Sequence, residues 1–233
     1  PQLLDWLAIT FVRNDWSIKS LHRLIMTSAA YRQESTVSEI NLMRDPENRL
    51  LSRMPMRRMD AEEIHDTILH VAGRLDARPF GRPDPVVVRG DGLVTAIQQG
   101  SSWRRSIYVR QRRKEMPTIL ETFDLPQMIP NCSGRKNSTV VSQSLHLLNN
   151  KKIHQLAKFF AERVQIEVGG DRRNQIDRAY LIAFGRHPTD VEQRASLESL
   201  EQLIEHWTRD RTASKAHTAK PEQQALADLC HAL

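Results

Sequence analysis

The sequence predicts a mainly α-helical domain with a small β insertion around residues 86–112. Apolar residues recur at helical spacing on both sides of a central stretch that is rich in proline and glycine. Inside that stretch, short valine and isoleucine runs are bounded by turn residues, which is typical of strands in a small sheet. The composition, with 39% hydrophobic and 27% charged residues, is that of a folded globular protein.

Three helices are predicted in the N-terminal part of the chain. Leu4 and Phe11 belong to one apolar helical face, and Ser17 is a candidate N-cap for a second helix, so the two helices form a predicted hairpin. Asp60 and Glu63 have the spacing of a capping box at the start of the third helix. Residues 34–57 between them are polar and interrupted by prolines, which indicates a connection.

The middle of the chain is predicted to be irregular over residues 77–103 and to form a strand over Arg105–Arg112, where apolar and polar residues alternate. Helical periodicity then returns. The predicted helices lie over Pro117–Phe123, Ser138–Asn149, Ile153–Val164 and Ile176–Phe184, and from a capping box at Thr189 onward.

We expect one domain over residues 1–208, a solvated linker over 209–221, and the start of a truncated C-terminal helix over 222–233. No apolar run approaches the roughly 18 residues that cross a bilayer. The chain starts at Pro1 and ends within an apolar stretch, so we expect a fragment of a longer protein.

Cysteine and histidine spacing predicts no metal or haem site. Cys132 and Cys230 could form at most one disulfide, and neither stands in a C-x-x-C-H sequence for covalent haem attachment. The nine histidines include no H-E-x-x-H or comparable ligand pair. Cys132 would be a nucleophile only if His146 or His154 approached it, and the alternative is a buried or disulfide-bonded cysteine.

A net charge of +6 favours anionic partners where the charge is clustered, and the densest cluster follows Trp103. Arginine and aromatic side chains on a strand could contact phosphate or sulfate groups. The candidate anion-binding residues of this segment are Arg104, Arg105 and Arg110. The alternative is a solvated edge strand, or arginines that pair with nearby carboxylates.

A second candidate anion site is the polar loop that carries Arg135, Lys136 and Ser138. With Ser138 as an N-cap, two cations and free backbone N–H groups would converge at a helix start, which suits a carboxylate, phosphate or sulfate. The alternative is ordinary capping, with Arg135 paired to Asp124 or Glu121.

Several motifs together resemble one protein family. They are Leu3–Ala8, His22–Arg32, Asn48–Leu51, Arg104–Val109, Phe123–Pro126 and Ser138–Val140. These motifs resemble a planctomycete-type domain of unknown function that is found at the C-terminal end of large exported proteins, often behind a cytochrome-c-like domain. Its most family-like stretch supplies the pocket candidates Asp124, Cys132, Thr139 and Gln143. Gln127 and Lys151-Lys152 depart from the family pattern.

The resemblance implies an exported parent, periplasmic or attached to the cell surface, with haem c in an upstream domain and no cofactor in this chain. Our first interpretation is a non-catalytic accessory or interaction domain whose basic surface meets upstream domains, a polyanion or an anionic saccharide. The second is an enzyme domain that acts on a sulfated or carboxylated saccharide. The third is a nucleic-acid-binding module, which an exported parent disfavours.

Overall fold

The computed structural model describes residues 2–36, 38–112, 114–126, 134–135, 138–213 and 220–233. Over these ranges the chain is mainly helical with two small two-stranded sheets, so the predicted fold class is confirmed. Contacts between residues divide the chain into two compact units, Pro1–Arg58 and Met59–Leu233. The boundary lies between the polar connection of residues 34–57 and the start of the third predicted helix.

The helices and strands follow one another in a simple order. The first unit holds α1 (Gln2–Arg13), α2 (Ile18–Met26) and α3 (Glu39–Arg44). The second holds α4 (Ala61–Val71), β1 (Leu75–Asp76), β2 (Val86–Val88), β3 (Val94–Ala96), β4 (Trp103–Arg104), a 3₁₀ turn (Ser106–Tyr108), α5 (Thr118–Thr122), α6 (Val141–Asn149), α7 (Lys151–Val168), α8 (Arg172–Phe184), α9 (Asp190–Ala213) and α10 (Pro221–Ala232).

The first unit is a helical hairpin with very little buried surface. As predicted, Ser17 caps α2, since its hydroxyl accepts a hydrogen bond from Ser20 N. Among the described residues of this unit only Asp45 is buried, and its carboxylate accepts from the backbone N–H groups of Arg49 and Leu50. The apolar faces of α1 and α2 are therefore exposed, with Trp6 as an example at 52%.

The second unit has its largest core between four helices. Phe160, Ala161 and Val164 of α7 are buried against α8, α9 and α10, where Ile176 and Leu226 are almost inaccessible. The helices begin at ordinary signals. Thr189 Oγ1 accepts from Glu192 N, and Glu192 in turn accepts from Thr189 N, so the predicted capping box is confirmed.

A smaller core joins α4 to the β insertion. β2 and β3 form an antiparallel hairpin, and β1 pairs in parallel with β4. Val86, Val94 and Trp103 from these strands are buried with Leu69 of α4 and Leu156 of α7. Asp60 N donates to Glu63 Oε2 at the start of α4, as the predicted capping box requires. α7 therefore contributes to both cores.

The predicted strand over Arg105–Arg112 is wrong. Ser106–Tyr108 form a 3₁₀ turn, and Ile107 is 77% exposed although the alternation placed it on a buried face. The cause is a hydrogen bond from Ser106 N to the carboxylate of Asp66 at 2.7 Å, which pulls Ser106 inward and turns the backbone. Only Val109 in this segment makes an isolated bridge, with Asp84, among the described residues.

Two helix boundaries also differ from the sequence expectation. α6 begins at Val141 rather than at Ser138, because the hydroxyl of Ser138 is engaged by Asp124 instead of capping the helix. α9 continues to Ala213, five residues into the segment expected as a linker from 209. Residues 214–219 lie outside the described residues, and α10 then starts at Pro221.

Arg104 holds the proline- and glycine-rich excursion in place. Its guanidinium group is 8% exposed and donates to the backbone carbonyls of Arg78, Phe80 and Arg82, at the positions where the irregular chain lacks regular partners. Asp84 lies 3.5 Å away and neutralises the charge. The group is a structural clasp rather than part of an anion-facing surface.

Replacing Arg104 by methionine should therefore lower the free energy of unfolding by about 2–4 kcal/mol, since three backbone carbonyls and the buried carboxylate of Asp84 would lose their donor. Arg105→Met is the matched control, because Arg105 is the exposed neighbour. It should change the free energy of unfolding by less than about 0.5 kcal/mol. Urea unfolding of both variants measures these changes in the free energy of unfolding. Equal effects of the two substitutions would contradict a structural role of Arg104.

Candidate functional site

The arginines predicted to bind anions do not form a shared surface in the described chain. Arg104 is buried in the clasp, Arg105 is exposed, and Arg110 lies 3.7 Å from the carboxylate of Glu115. Arg135 donates to both carboxylate oxygens of Glu62, at 2.7 and 2.8 Å. These bonds lower the pKa of Glu62 and raise that of Arg135. Arg135 is thus in an ion pair, as the alternative expected, but with a different partner.

The structure brings three of the predicted residues together around the start of α6. Asp124 accepts hydrogen bonds from Ser138 N and Ser138 Oγ, each at 2.7 Å. The buried amide of Gln143 donates to Thr122 O and Ser138 O. Thr139 is exposed beside them. This arrangement ties α5 to α6, and Cys132 and Lys136 lie outside the described residues.

Cys230 is a free thiol inside the helical core. Burial raises its pKa to about 12, so it stays protonated and unreactive at neutral pH. No group of metal-binding side chains occurs among the residues that the structure describes. In the same part of the chain, no helix combines the length and the apolar character needed to cross a bilayer.

A cavity of about 30 Å³ lies in the second unit, between α4, β3 and the start of α7. It has room for about two water-sized groups. Its walls are mostly apolar, and its polar lining comes from few side chains. The apolar lining residues are Ile68, Leu69, Val94, Ala96, Pro117, Ile119, Ile153 and Leu156. The polar ones are His65, Thr95, His146, Asn150 and Lys152. Few polar groups in an apolar cavity are typical of a ligand site.

His65 carries an orienting carboxylate. Its Nδ1 lies 3.0 Å from Asp66 Oδ1, and because a carboxylate only accepts, Nδ1 carries the proton. His65 is 4% exposed, and its Nε2 has no hydrogen-bond partner among the described residues. Burial acts to raise the pKa of Asp66, but hydrogen bonds from His65 and Ser106 outweigh it and the pKa falls. His65 Nε2 is thus a fixed proton acceptor.

Asn150 fixes the protonation of His146. Its Oδ1 accepts from Lys152 N at 2.8 Å, where it caps α7, so its Nδ2 is directed to His146 Nε2 at 3.1 Å. An amide NH₂ group only donates, and therefore His146 Nε2 accepts and carries no proton. Burial also lowers the pKa of His146, which keeps the ring neutral.

Among the described residues that line the cavity, Lys152 is the one with a cationic side chain. Its Nζ lies 4.7 Å from the centroid of the Trp103 ring, and no carboxylate among the described residues pairs with it. Burial lowers the pKa of Lys152 to about 8, from an ordinary 10.5. The ring face favours the charged form but does not replace a counterion. The charged form of Lys152 is therefore disfavoured by burial and has no described carboxylate to stabilise it.

Sequence reasoning did not find this site, because its residues are dispersed from position 65 to position 156 and match no motif. One local signal was available. Lysine in the first turn of a helix opposes the helix dipole, and Lys152 follows the cap Asn150 by two residues. A lysine at that position is therefore electrostatically unfavourable.

The fold and the cavity define a mainly helical domain with a lysine in an apolar pocket. The chain belongs to the family PSD1, described as "Protein of unknown function (DUF1553)", whose model matches residues 1–200. The expectation of a family of unknown function is confirmed, and every residue that lines the cavity lies inside the match. No curated protein and no solved structure is significantly similar to the chain.

The depressed pKa of Lys152 predicts a pH-dependent stability difference between the wild type and Lys152→Met. Unfolded chains keep this proton up to about pH 10.5, whereas the folded protein releases it near pH 8. The folded state is therefore penalised below pH 8, and the wild type gains stability relative to the variant as the pH rises from 8 to 10.5. The gain should total about 3 kcal/mol.

Unfolding of both proteins at pH 7 and pH 10 measures the change, and any packing difference between lysine and methionine cancels because it does not vary with pH. Lys151→Met is the control, since Lys151 is exposed on the same helical turn. A difference between the wild type and Lys152→Met that stays constant with pH would show that Lys152 titrates normally.

Proposed function

We propose that the second unit is an accessory domain that binds a small oxyanion, such as a carboxylate, in the cavity beside Lys152. The observation that carries this proposal is a partly buried lysine that lines a cavity and has no carboxylate partner among the described residues. A bound anion would supply the missing counterion. Burial in apolar surroundings strengthens such an interaction, because little water competes for either charge.

The other polar groups of the cavity agree with this ligand class. A ligand that enters as an acid can release its proton to His65 Nε2. Its anion then lies next to two donors, the protonated His65 and Lys152. Asp66 stabilises the resulting imidazolium. The proposal keeps an anionic ligand, as the net charge suggested, but assigns it to Lys152 rather than to the arginines.

Acetate is a suitable probe, because it is a carboxylate with only one further carbon atom. In an NMR titration at constant ionic strength, acetate should shift the backbone signals of Thr95, Asn150 and Ile153. Lys152→Met should abolish these shifts, whereas Lys151→Met and Arg105→Glu should retain them. Because binding needs the ammonium form, affinity should fall about tenfold per pH unit once the pH exceeds the pKa of Lys152 in the free protein, about 8.

Equal acetate affinity of the wild type and Lys152→Met would overturn the proposal. Loss of binding in Arg105→Glu with retention in Lys152→Met would return the anion site to the basic segment after Trp103. Sodium chloride at the same concentration controls for nonspecific screening of charge.

We also propose, from the motifs quoted above, that this domain belongs to an exported, planctomycete-type parent that carries haem c in an upstream domain. The residues of this chain do not fit covalent haem, since neither Cys132 nor Cys230 stands in a C-x-x-C-H sequence. Cell fractionation and haem staining of the whole parent test both points. A cytoplasmic parent without haem would contradict them.

A further inference from the structure

We propose that Lys152 is a carbonyl-reactive residue, whose amine forms an imine with small uncharged aldehydes or ketones that enter the cavity. The inference rests on the same cavity as the proposed function but concerns the neutral amine rather than the ammonium group. It adds a class of ligand, the small carbonyl compound, and a covalent mode of binding.

The surroundings of Lys152 favour a neutral amine. The titratable groups that line the cavity with it are His65 on α4 and His146 on α6, and the amide contact of Asn150 keeps His146 uncharged. The nearest carboxylate to His65, that of Asp66, is occupied by His65 and Ser106 N. No described carboxylate therefore holds the proton on Lys152.

The pKa of about 8 makes this amine available near neutral pH. At pH 7 about a tenth of Lys152 is uncharged, against less than about 0.1% of an ordinary exposed lysine. Only the uncharged form has the lone pair that attacks a carbonyl carbon. Lys152 is therefore better prepared for this reaction than its exposed neighbours Lys151 and Lys158.

The reaction balances without an oxidant or a reductant. The Lys152 lone pair forms a C–N bond with the carbonyl carbon, the carbonyl oxygen takes up the proton that the nitrogen releases, and a carbinolamine results. Loss of the hydroxyl group and of the second nitrogen proton as one water molecule gives the C=N bond. His65 Nε2 accepts a proton in one step and returns it in the other, with Asp66 stabilising the intermediate imidazolium.

The size of the cavity limits the ligand to a few atoms. A two-carbon aldehyde loses its oxygen as water, so two carbon atoms remain on the nitrogen. That matches the room for about two water-sized groups in a cavity of about 30 Å³. The apolar walls from Val94, Ala96 and Leu156 suit an uncharged alkyl group.

The test is reductive trapping of the full chain with acetaldehyde and sodium cyanoborohydride at pH 7, followed by peptide mass spectrometry. Cyanoborohydride reduces the imine to an ethylated lysine, and the rate is compared between Lys152 and the exposed lysines Lys151 and Lys158. Lys152 should be ethylated at least about tenfold faster. His65→Gln should slow the ethylation of Lys152 and leave the ethylation rates of Lys151 and Lys158 unchanged. A general change in the reactivity of the reagent would instead alter all three rates.

Acetate in the reaction separates this inference from the proposed function. If both hold, acetate slows ethylation of Lys152 alone. Fast ethylation without protection by acetate supports the imine and contradicts anion binding at Lys152. Ethylation of Lys152 no faster than that of Lys151, in a protein whose acetate titration succeeds, overturns the inference and leaves the proposed function intact.

Discussion

Burial of one face of α7 is the interaction on which the second unit depends. Six of its residues are buried at helical spacing, from Ile153 to Val164. The C-terminal part of this face fills the core with α8, α9 and α10, and Leu156 near its start is shared with α4 and the strands. Since the same helix enters both cores, its N-terminal turn is fixed in position, and Asn150 and Lys152 are fixed with it.

This arrangement has a desolvation cost, which arises at the charged side chain of Lys152. The packing that places the start of α7 against β3 and α4 partly desolvates Lys152, and among the described residues the Trp103 ring is the one contact that favours its charged form. A methionine of similar length would satisfy the same cavity wall without that cost. Packing alone therefore does not explain a lysine at this position.

Much of the fold could be predicted from the sequence, and little of the site. Strong periodicity and caps predicted α2, α4, α7 and α9, because local signals there agree with the burial that the fold imposes. The strand predicted after Trp103 does not form, although apolar and polar residues do alternate there. Asp66, 40 residues away, accepts a hydrogen bond from Ser106 N, and this contact turns the backbone. Arg104 was misread for the same reason, because its partners are carbonyls of a distant irregular segment.

The site itself depends on tertiary contacts that no local pattern carries. His65 lies on the buried face of α4 like a core residue. Two features distinguish it from an ordinary core histidine: its Asp66 contact, and an Nε2 without a hydrogen-bond partner among the described residues. His146 differs from an ordinary buried histidine because Asn150, itself fixed by capping α7, determines which ring nitrogen accepts. The environment of the cavity therefore depends on one helix start. Asn150 caps α7 and keeps His146 neutral, and no described carboxylate pairs with Lys152 two residues later.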